Sequence, residues 1–326
     1  METLWVILIR SLVLMLFVIS MAALLTLFER KFLGYFQYRV GPNRVGPWGL
    51  LQPIADVVKT IFKEDIVPKD ADRFVFMIAP VISLFVALGA FAVIPVGPPL
   101  HIGGLTIPLS AAAPGAGMLV YLAIVSLGVY GVALGGWASQ SKYSLLGSLR
   151  GTAQMISYEL AMGMSLVSIV VTVGSLLPDD IIAYQHQHLP LILMQPIAFL
   201  IFFISLLAEG NRTPFDLTEA ETELVGGYNT EYSGLRFALF FLAEYVAVIV
   251  SSALVTTLFL GGWWGPFLPG FLWFFVKTLV MIFVFVWIRA TLPRLRYDQL
   301  MSFGWKVLLP VAAANLLVTS VFVALH

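Results

Sequence analysis

The chain has 326 residues, of which 60% are hydrophobic and 11% charged, whereas a soluble domain carries about 25% charged residues. Its 18 basic and 18 acidic residues give a formal net charge of zero, which argues against nucleic acid as a partner. The absence of cysteine excludes disulfides, thiolate nucleophiles and iron–sulfur clusters held by thiolates. This composition predicts an integral membrane protein.

Eight apolar segments are long enough to cross the bilayer as helices, since a hydrocarbon core of ~30 Å needs about 20 residues. The predicted spans are 4–28, 74–94, 118–137, 152–177, 189–208, 235–260, 271–288 and 307–325. The first span is long and has no basic region before it, so a cleaved signal peptide fits poorly. We therefore predict an all-α polytopic protein whose residues 1–326 form a single transmembrane domain.

Lysine and arginine residues collect in alternate loops between these spans. The first, third, fifth and seventh loops carry Arg30, Lys31, Arg39, Arg44, Lys59, Lys63, Lys69, Arg73, Lys142, Arg150, Arg212, Arg294 and Arg296. The even-numbered loops carry neither residue type. Because basic loops stay on the cytoplasmic side of a membrane, we expect the odd loops to be cytoplasmic and both termini to be periplasmic.

Two of the loops are predicted to have structure of their own. Within 49–64, apolar residues recur with a helical period and polar residues occupy the opposite face, a pattern typical of an amphipathic helix that lies in the membrane interface. On the outer side, residues 101–108 predict a short β-hairpin that turns at Gly103 and Gly104.

Ionisable residues inside a span are costly to bury and are functional candidates by default. Glu159 and Glu244 lie about 12–13 Å along the fourth and sixth helices from their cytoplasmic ends, at 1.5 Å per residue. Glu209 ends the fifth span, and Lys277 lies within the outer part of the seventh. The alternative is that each acid is an interhelical hydrogen-bonding group, or pairs with Lys277 or Arg289.

The fifth loop, residues 209–235, is acidic. It carries Asp216, Glu219, Glu221, Glu223 and Glu231. Thr213 followed by Pro214 has the pattern of an N-cap and a first helical residue, so we expect a short helix to begin there, with three of the acids on one face. An acidic loop above buried acids indicates a proton path. A solvated acidic loop is the alternative.

The four histidines, at positions 101, 186, 188 and 326, lie outside the apolar segments, where they cannot ligate a haem within the membrane. His186 and His188 offer at most a weak metal pair, and two loop histidines at this spacing are more often solvated side chains. We predict no metal site.

Motifs distributed along nearly the whole chain point to one family. They are Glu29-Arg-Lys31, Arg39-Val-Gly-Pro-Asn-Arg-Val-Gly-Pro47, Gly136-Trp-Ala-Ser-Gln-Ser-Lys-Tyr143, Ala153-Gln-Met-Ile-Ser-Tyr-Glu-Leu160, Pro214-Phe-Asp-Leu-Thr-Glu-Ala-Glu-Thr-Glu223, Thr230-Glu-Tyr-Ser-Gly-Leu-Arg236 and Arg289-Ala-Thr-Leu-Pro-Arg-Leu-Arg-Tyr-Asp-Gln-Leu300. In this order they resemble the membrane subunit that contains the quinone chamber of NADH:quinone oxidoreductase, respiratory complex I. Gly210, Thr218 and Asn229 depart from residues common in that family.

The resemblance implies a subunit of a proton-pumping enzyme in the bacterial cytoplasmic (inner) membrane. Such a subunit binds no cofactor alone and takes quinone as substrate, while FMN and iron–sulfur clusters reside in partner subunits. The implied partners are the peripheral quinone-site and terminal-cluster subunits, small membrane subunits and antiporter-like subunits.

Site residues are carried over by motif and are likewise implied by the resemblance. The quinone passage would be bordered by Glu29, Arg30, Arg39, Arg44, Asp56 and Phe215. The residues that would respond to quinone reduction are Asp216, Glu219, Glu221, Glu223 and Glu231. An intramembrane proton relay would begin with Glu159, Glu209 and Glu244.

Two other hypotheses remain. The chain could instead be the homologous subunit of a ferredoxin-dependent or hydrogenase-type energy-converting membrane complex. A stand-alone transporter or channel is the other, but transporter folds often show repeated halves, no convincing internal repeat is present, and the acids extend only halfway across the membrane.

Overall fold

The protein is mainly helical over the residues that its computed structural model describes, which are 4–102, 105–112, 114–218 and 221–325. Among these residues, seven helices are long and apolar enough to cross a membrane. They are Trp5–Phe36, Arg73–Ala92, Gly117–Ala138, Lys142–Val173, Gly234–Phe259, Gly270–Thr291 and Tyr297–Leu325. The predicted all-α, multi-pass architecture is confirmed.

We label the elements in chain order. The first half contains α1 (Leu4–Phe36), α2 (Gln52–Phe62), α3 (Arg73–Ala92), β1 (Leu100–Ile102), β2 (Leu105–Ile107), α4 (Gly117–Ser126), α5 (Gly128–Ala138) and α6 (Lys142–Val173). The second half contains α7 (Pro178–Gln187), α8 (Leu191–Met194), α9 (Pro196–Glu209), α10 (Glu221–Leu224), α11 (Gly234–Phe259), α12 (Gly270–Thr291), α13 (Tyr297–Phe303) and α14 (Leu309–Leu325). A π-helical turn, Gly304–Leu308, joins α13 to α14.

The segment predicted as the fifth span, 189–208, is interrupted. Its backbone leaves the helical region at Gln195 (φ −132°, ψ 63°), between α8 and α9. Pro196 explains the break, because proline has no N–H to donate and disfavours helical geometry in the preceding residue. The described chain thus has seven continuous candidate spans and one interrupted apolar segment, where the sequence predicted eight continuous spans.

Helix α11 is the centre of the bundle. Two-thirds of its most apolar stretch (67%) is buried, more than in any other candidate span of the described chain. It packs against α3, α12 and α1, while α6 packs against α5, α9 and α14. A helix buried on all sides can place polar groups in the protein interior, where other helices supply their partners.

Small residues let α5 and α6 approach closely. A Cβ atom added at Gly136 would lie 2.3 Å from Ser148 Cβ and 2.5 Å from the Ser144 carbonyl oxygen. Helices in membranes associate through such small-residue contacts because lipid supplies no hydrophobic drive between them. Helix α6 begins ten residues before the predicted fourth span, and one face of its first turns, formed by Ser144, Gly147 and Ser148, is buried.

The interfacial elements are short. Helix α2 exposes the apolar residues Ile54, Val57 and Ile61, and it ends where Lys63 becomes extended (φ −75°, ψ 137°). Strands β1 and β2 pair antiparallel. The expected turn residues, Gly103 and Gly104, lie outside the described residues.

The close α5–α6 contact predicts that Gly136→Ala destabilises the protein, because overpacking a tight contact costs about 1–3 kcal/mol. Thermal unfolding of the purified protein in mild detergent measures this as a lower midpoint. Gly163→Ala is the matched control on α6, since no atom would lie within 4 Å of its new Cβ. Equal losses in the two variants would contradict the proposed packing.

Candidate functional site

Four charged side chains meet in the interior, and we call them the buried charge cluster: Glu29, Arg212, Glu244 and Arg289. Arg212 Nη1 donates to Glu29 Oε1 and Oε2 at 3.0 and 3.2 Å, and Arg212 Nε lies 2.8 Å from Glu244 Oε1. Arg289 also pairs with Glu29. Glu29 is 3% exposed and Arg212 6%. Three helices and the segment that follows α9 are therefore joined through charge.

The cluster contains two carboxylates and two guanidinium groups, so their formal charges balance. Removing an ion from water costs several kcal/mol, and only good partners offset that cost. Tyr245 lines the same small space as Glu29, and its ring lies 4.6 Å from the Arg212 guanidinium. Burial alone would lower the pKa of Arg212, but the neighbouring carboxylates of Glu244 and Glu29 raise it above its ordinary value. Arg212 is therefore a permanent cation.

A cavity of about 510 Å³, here called the apolar cavity, lies between α1, α2 and α11. Its apolar walls include Ala22, Ala23, Pro53, Val57, Ala238 and Leu242. At one edge Arg30 Nη1 donates to Asp56 Oδ2 at 2.6 Å, and Gln52 donates to the other oxygen of that carboxylate. Apolar walls with a few fixed polar groups are typical of a binding site for a small organic molecule.

Tyr245 separates the apolar cavity from the buried charge cluster. Its side chain lines the apolar cavity and also a small space of about 10 Å³ beside Glu29 and Arg212. On α1, Glu29 belongs to the cluster while its neighbour Arg30 lines the cavity. A molecule in the apolar cavity would thus lie one aromatic ring away from the charges.

A second, smaller cavity of about 100 Å³ lies on the other side of α11, and we call it the acid-lined cavity. Glu209 and Glu244 both line it, together with Tyr121 and Ser251. Glu209 Oε2 has no hydrogen-bond partner within the described residues. The structure therefore brings two of the three predicted relay acids to one cavity, whereas Glu159, half-buried on α6, does not line it.

The expected helix at Thr213 is wrong. Residues 212–218 form turns, and the next helix, α10, begins at Glu221. An α-helix needs its carbonyl oxygens for bonds within the helix. Here the Pro214 carbonyl accepts from Leu295 N at 3.0 Å, and the Phe215 carbonyl accepts from Gln154 Nε2 at 2.8 Å.

Two acids of the acidic loop pair with basic residues from other segments. Asp216 pairs with Arg294 at 2.8 Å, and Glu223 pairs with Arg150 at 2.8 Å. Glu231 is half-buried. Glu219 lies outside the described residues, as does the side chain of Glu221.

The residues predicted for the quinone passage do not lie together in the structure. Arg30 and Asp56 meet at the apolar cavity. Arg39 instead lines a separate cleft of about 780 Å³ beyond α1, because the chain reverses there through a bond from Arg39 N to the Gly34 carbonyl. Arg44 is exposed, and Phe215 is buried with its ring 5.4 Å from that of Tyr158.

The sequence analysis missed Arg212 and Tyr245 as site residues. A basic partner could have been expected from electrostatics, because a buried carboxylate needs a nearby positive charge. The sequence analysis named Arg289 as one such possible partner. Lys277 is not one of these bases, since its ammonium donates to backbone carbonyls. The ring of His186 stacks on Trp264. Within the described residues, no group of three or more potential ligands is placed to hold a metal ion.

Comparisons with known proteins agree along the whole chain. A model of the family described as NADH dehydrogenase matches residues 9–320. The NADH-quinone oxidoreductase H subunit of Syntrophotalea carbinolica is 55% identical over 303 residues, which cover 93% of this chain and 92% of that protein. An H subunit of the same enzyme from Geobacter metallireducens is 57% identical, with 93% and 92% covered. One from Symbiobacterium thermophilum is 55% identical, with 99% and 98% covered.

The charge balance of the cluster predicts the effect of Arg212→Met. This change leaves Glu244 buried without its cation, which costs about 3–5 kcal/mol for a buried pair. We expect a much lower thermal unfolding midpoint in mild detergent, and partial recovery when Glu244→Gln is added.

Arg296→Met is the matched control, because Arg296 forms an exposed pair with Asp298, and such pairs contribute at most about 1 kcal/mol. The described cluster would be refuted by an Arg212→Met protein as stable as this control.

Proposed function

The chain belongs to the NADH dehydrogenase family, and we propose that it is the membrane subunit of a proton-pumping NADH:quinone oxidoreductase that forms the quinone passage and couples quinone reduction to proton translocation. The single observation that carries this proposal is the placement of the apolar cavity against the buried charge cluster, with Tyr245 between them.

The apolar cavity is the proposed quinone passage. Quinones with isoprenoid tails dissolve in the bilayer, so their route needs apolar walls and an opening near the membrane surface. Helix α2 supplies such a wall, since it is amphipathic and exposes apolar side chains. Arg30 and Asp56 would meet the more polar headgroup as it passes. A cavity of this size and lining favours a quinone-reducing complex over a hydrogenase-type one.

The buried charge cluster is the proposed coupling element. Reduction of a quinone consumes protons and changes the charge near the passage, and buried charges sense such changes strongly because the local dielectric constant is low. Arg212 contacts both Glu29 and Glu244, so a change at Glu29 alters the electrostatic energy of Glu244. From Glu244 the acid-lined cavity leads to Glu209, and Glu159 on the neighbouring helix α6 would be the third acid. This order of groups is the proposed proton relay.

The acidic loop would relay the state of the quinone site through its ion pairs. Asp216 and Glu223 hold Arg294 and Arg150, so a charge change in a partner subunit would alter two contacts between this loop and the helices. Glu219, Glu221 and Glu231 belong to the same loop and would respond to quinone reduction with them. The predicted passage residues Arg39, Arg44 and Phe215 would contribute from outside the apolar cavity.

The proposed topology counts α8 and α9 together as one crossing, giving eight, with both termini periplasmic and the acidic loop cytoplasmic. The membrane would be the bacterial cytoplasmic membrane. Electrons would arrive from FMN and iron–sulfur clusters in the peripheral subunits. Small membrane subunits and antiporter-like subunits would receive the relay.

Filling the apolar cavity tests the passage. Ala238→Phe adds a ring to its wall, so NADH:quinone activity of the purified complex should fall, with a raised KM for quinone. NADH oxidation by ferricyanide, which needs only the upstream centres, should be unchanged.

Ala314→Phe is the matched control, because Ala314 is exposed on α14. Wild-type quinone kinetics in the Ala238→Phe complex would rule out this cavity as the passage.

Removing one hydroxyl tests the coupling. Tyr245→Phe keeps the ring that lines the apolar cavity but removes the hydroxyl group of a residue that lies beside Glu29 and Arg212. We expect fewer protons pumped per NADH in proteoliposomes, with quinone reduction reduced less than pumping. An unchanged ratio of protons to electrons would remove Tyr245 from the coupling path.

A further inference from the structure

Polar groups continue along α11 beyond the acid-lined cavity. Ser251 lines that cavity, and Ser252, Thr256 and Thr257 follow, all of them buried. Hydroxyls of Ser252 and Thr256 donate to carbonyls four residues earlier, at 2.8 and 2.9 Å. These hydroxyl groups lie between Ser251 and the end of α11 at Phe259, a stretch of about 12 Å that runs away from α2 and the acidic loop.

The ammonium group of Lys277 lies at this end of α11. Lys277 Nζ donates to the carbonyls of Leu260, Gly262 and Trp264 at 2.6, 3.1 and 2.7 Å. An ammonium has three donors, so all of them are used. Because all three acceptors are neutral oxygens, the positive charge is held in place without being cancelled by a carboxylate partner.

The backbone around Lys277 is shaped to hold it. Gly261 and Gly262 have positive φ values of 73° and 53°, a conformation that glycine adopts without steric cost, and this turn lets successive carbonyls converge. Gln185 Oε1 fixes the same turn by accepting from Gly261 N at 2.9 Å. The carbonyls at a helix C-terminus also carry partial negative charge, which favours a cation there.

We propose that Lys277 is an electrostatic barrier that closes the far end of α11 to protons. A fixed positive charge at a narrow polar site repels hydronium, as charged residues and helix dipoles do in water channels. Protons drawn into the acid-lined cavity would then leave only toward partner subunits and not across this chain. The inference rests on the proposed function, since it assumes that the acid-lined cavity receives protons.

The test is passive proton permeability of the intact complex in proteoliposomes without NADH or quinone. An imposed pH gradient should decay several-fold faster with Lys277→Gln than with wild type, because glutamine is neutral yet still donates to the carbonyls. Lys277→Arg, which keeps the charge, should decay at the wild-type rate. Lys69→Gln is the matched control, since Lys69 is exposed on the loop before α3.

Two results would overturn the proposal: a wild-type decay rate in Lys277→Gln, or an equally fast decay in Lys277→Arg. Should the glutamine variant fail to assemble, Lys277→Met provides a second neutral side chain for the same measurement. The assay uses no electron donor, so its outcome is independent of the cavity-filling test of the quinone passage.

Discussion

The structure depends on the ion pairs of the buried charge cluster. Arg212 satisfies Glu29 and Glu244 at once, and Arg289 completes the balance. Each of these residues belongs to a different segment. A shift of one segment relative to another would therefore leave a buried ion without its partner, which is energetically costly. The position of α1 against α11, and with it the width of the apolar cavity, follows from that constraint.

Helix α11 connects all the features that concern function. Its first turn lies beside the end of α2, where Arg236 pairs with Asp65. Tyr245 and Glu244 are consecutive, so the helix presents one residue to the apolar cavity and the next to the acid-lined cavity. A single helix thereby brings the proposed quinone passage and the proposed proton relay within one residue of each other.

The sequence was sufficient to predict helices, because spans are encoded locally by long apolar runs, and the motifs were sufficient to indicate the family. It failed where tertiary contacts decide. The turn at Thr213 has helix-starting residues, yet Leu295 and Gln154 take the carbonyls that a helix would need. The role of Arg212 was also hidden, since Arg212 and its partner Glu29 are 183 residues apart. Pro196 could have indicated the helix break before it, but the long apolar run led to the prediction of one continuous span.

The exposed apolar face of α2 has a consequence for substrate supply. A passage walled by such a helix would draw its molecule from the acyl chains instead of from the aqueous phase. The quantity that sets its loading would then be the mole fraction of quinone among the lipids, so that the same protein would reach half-saturation at different total amounts of quinone in membranes of different lipid content.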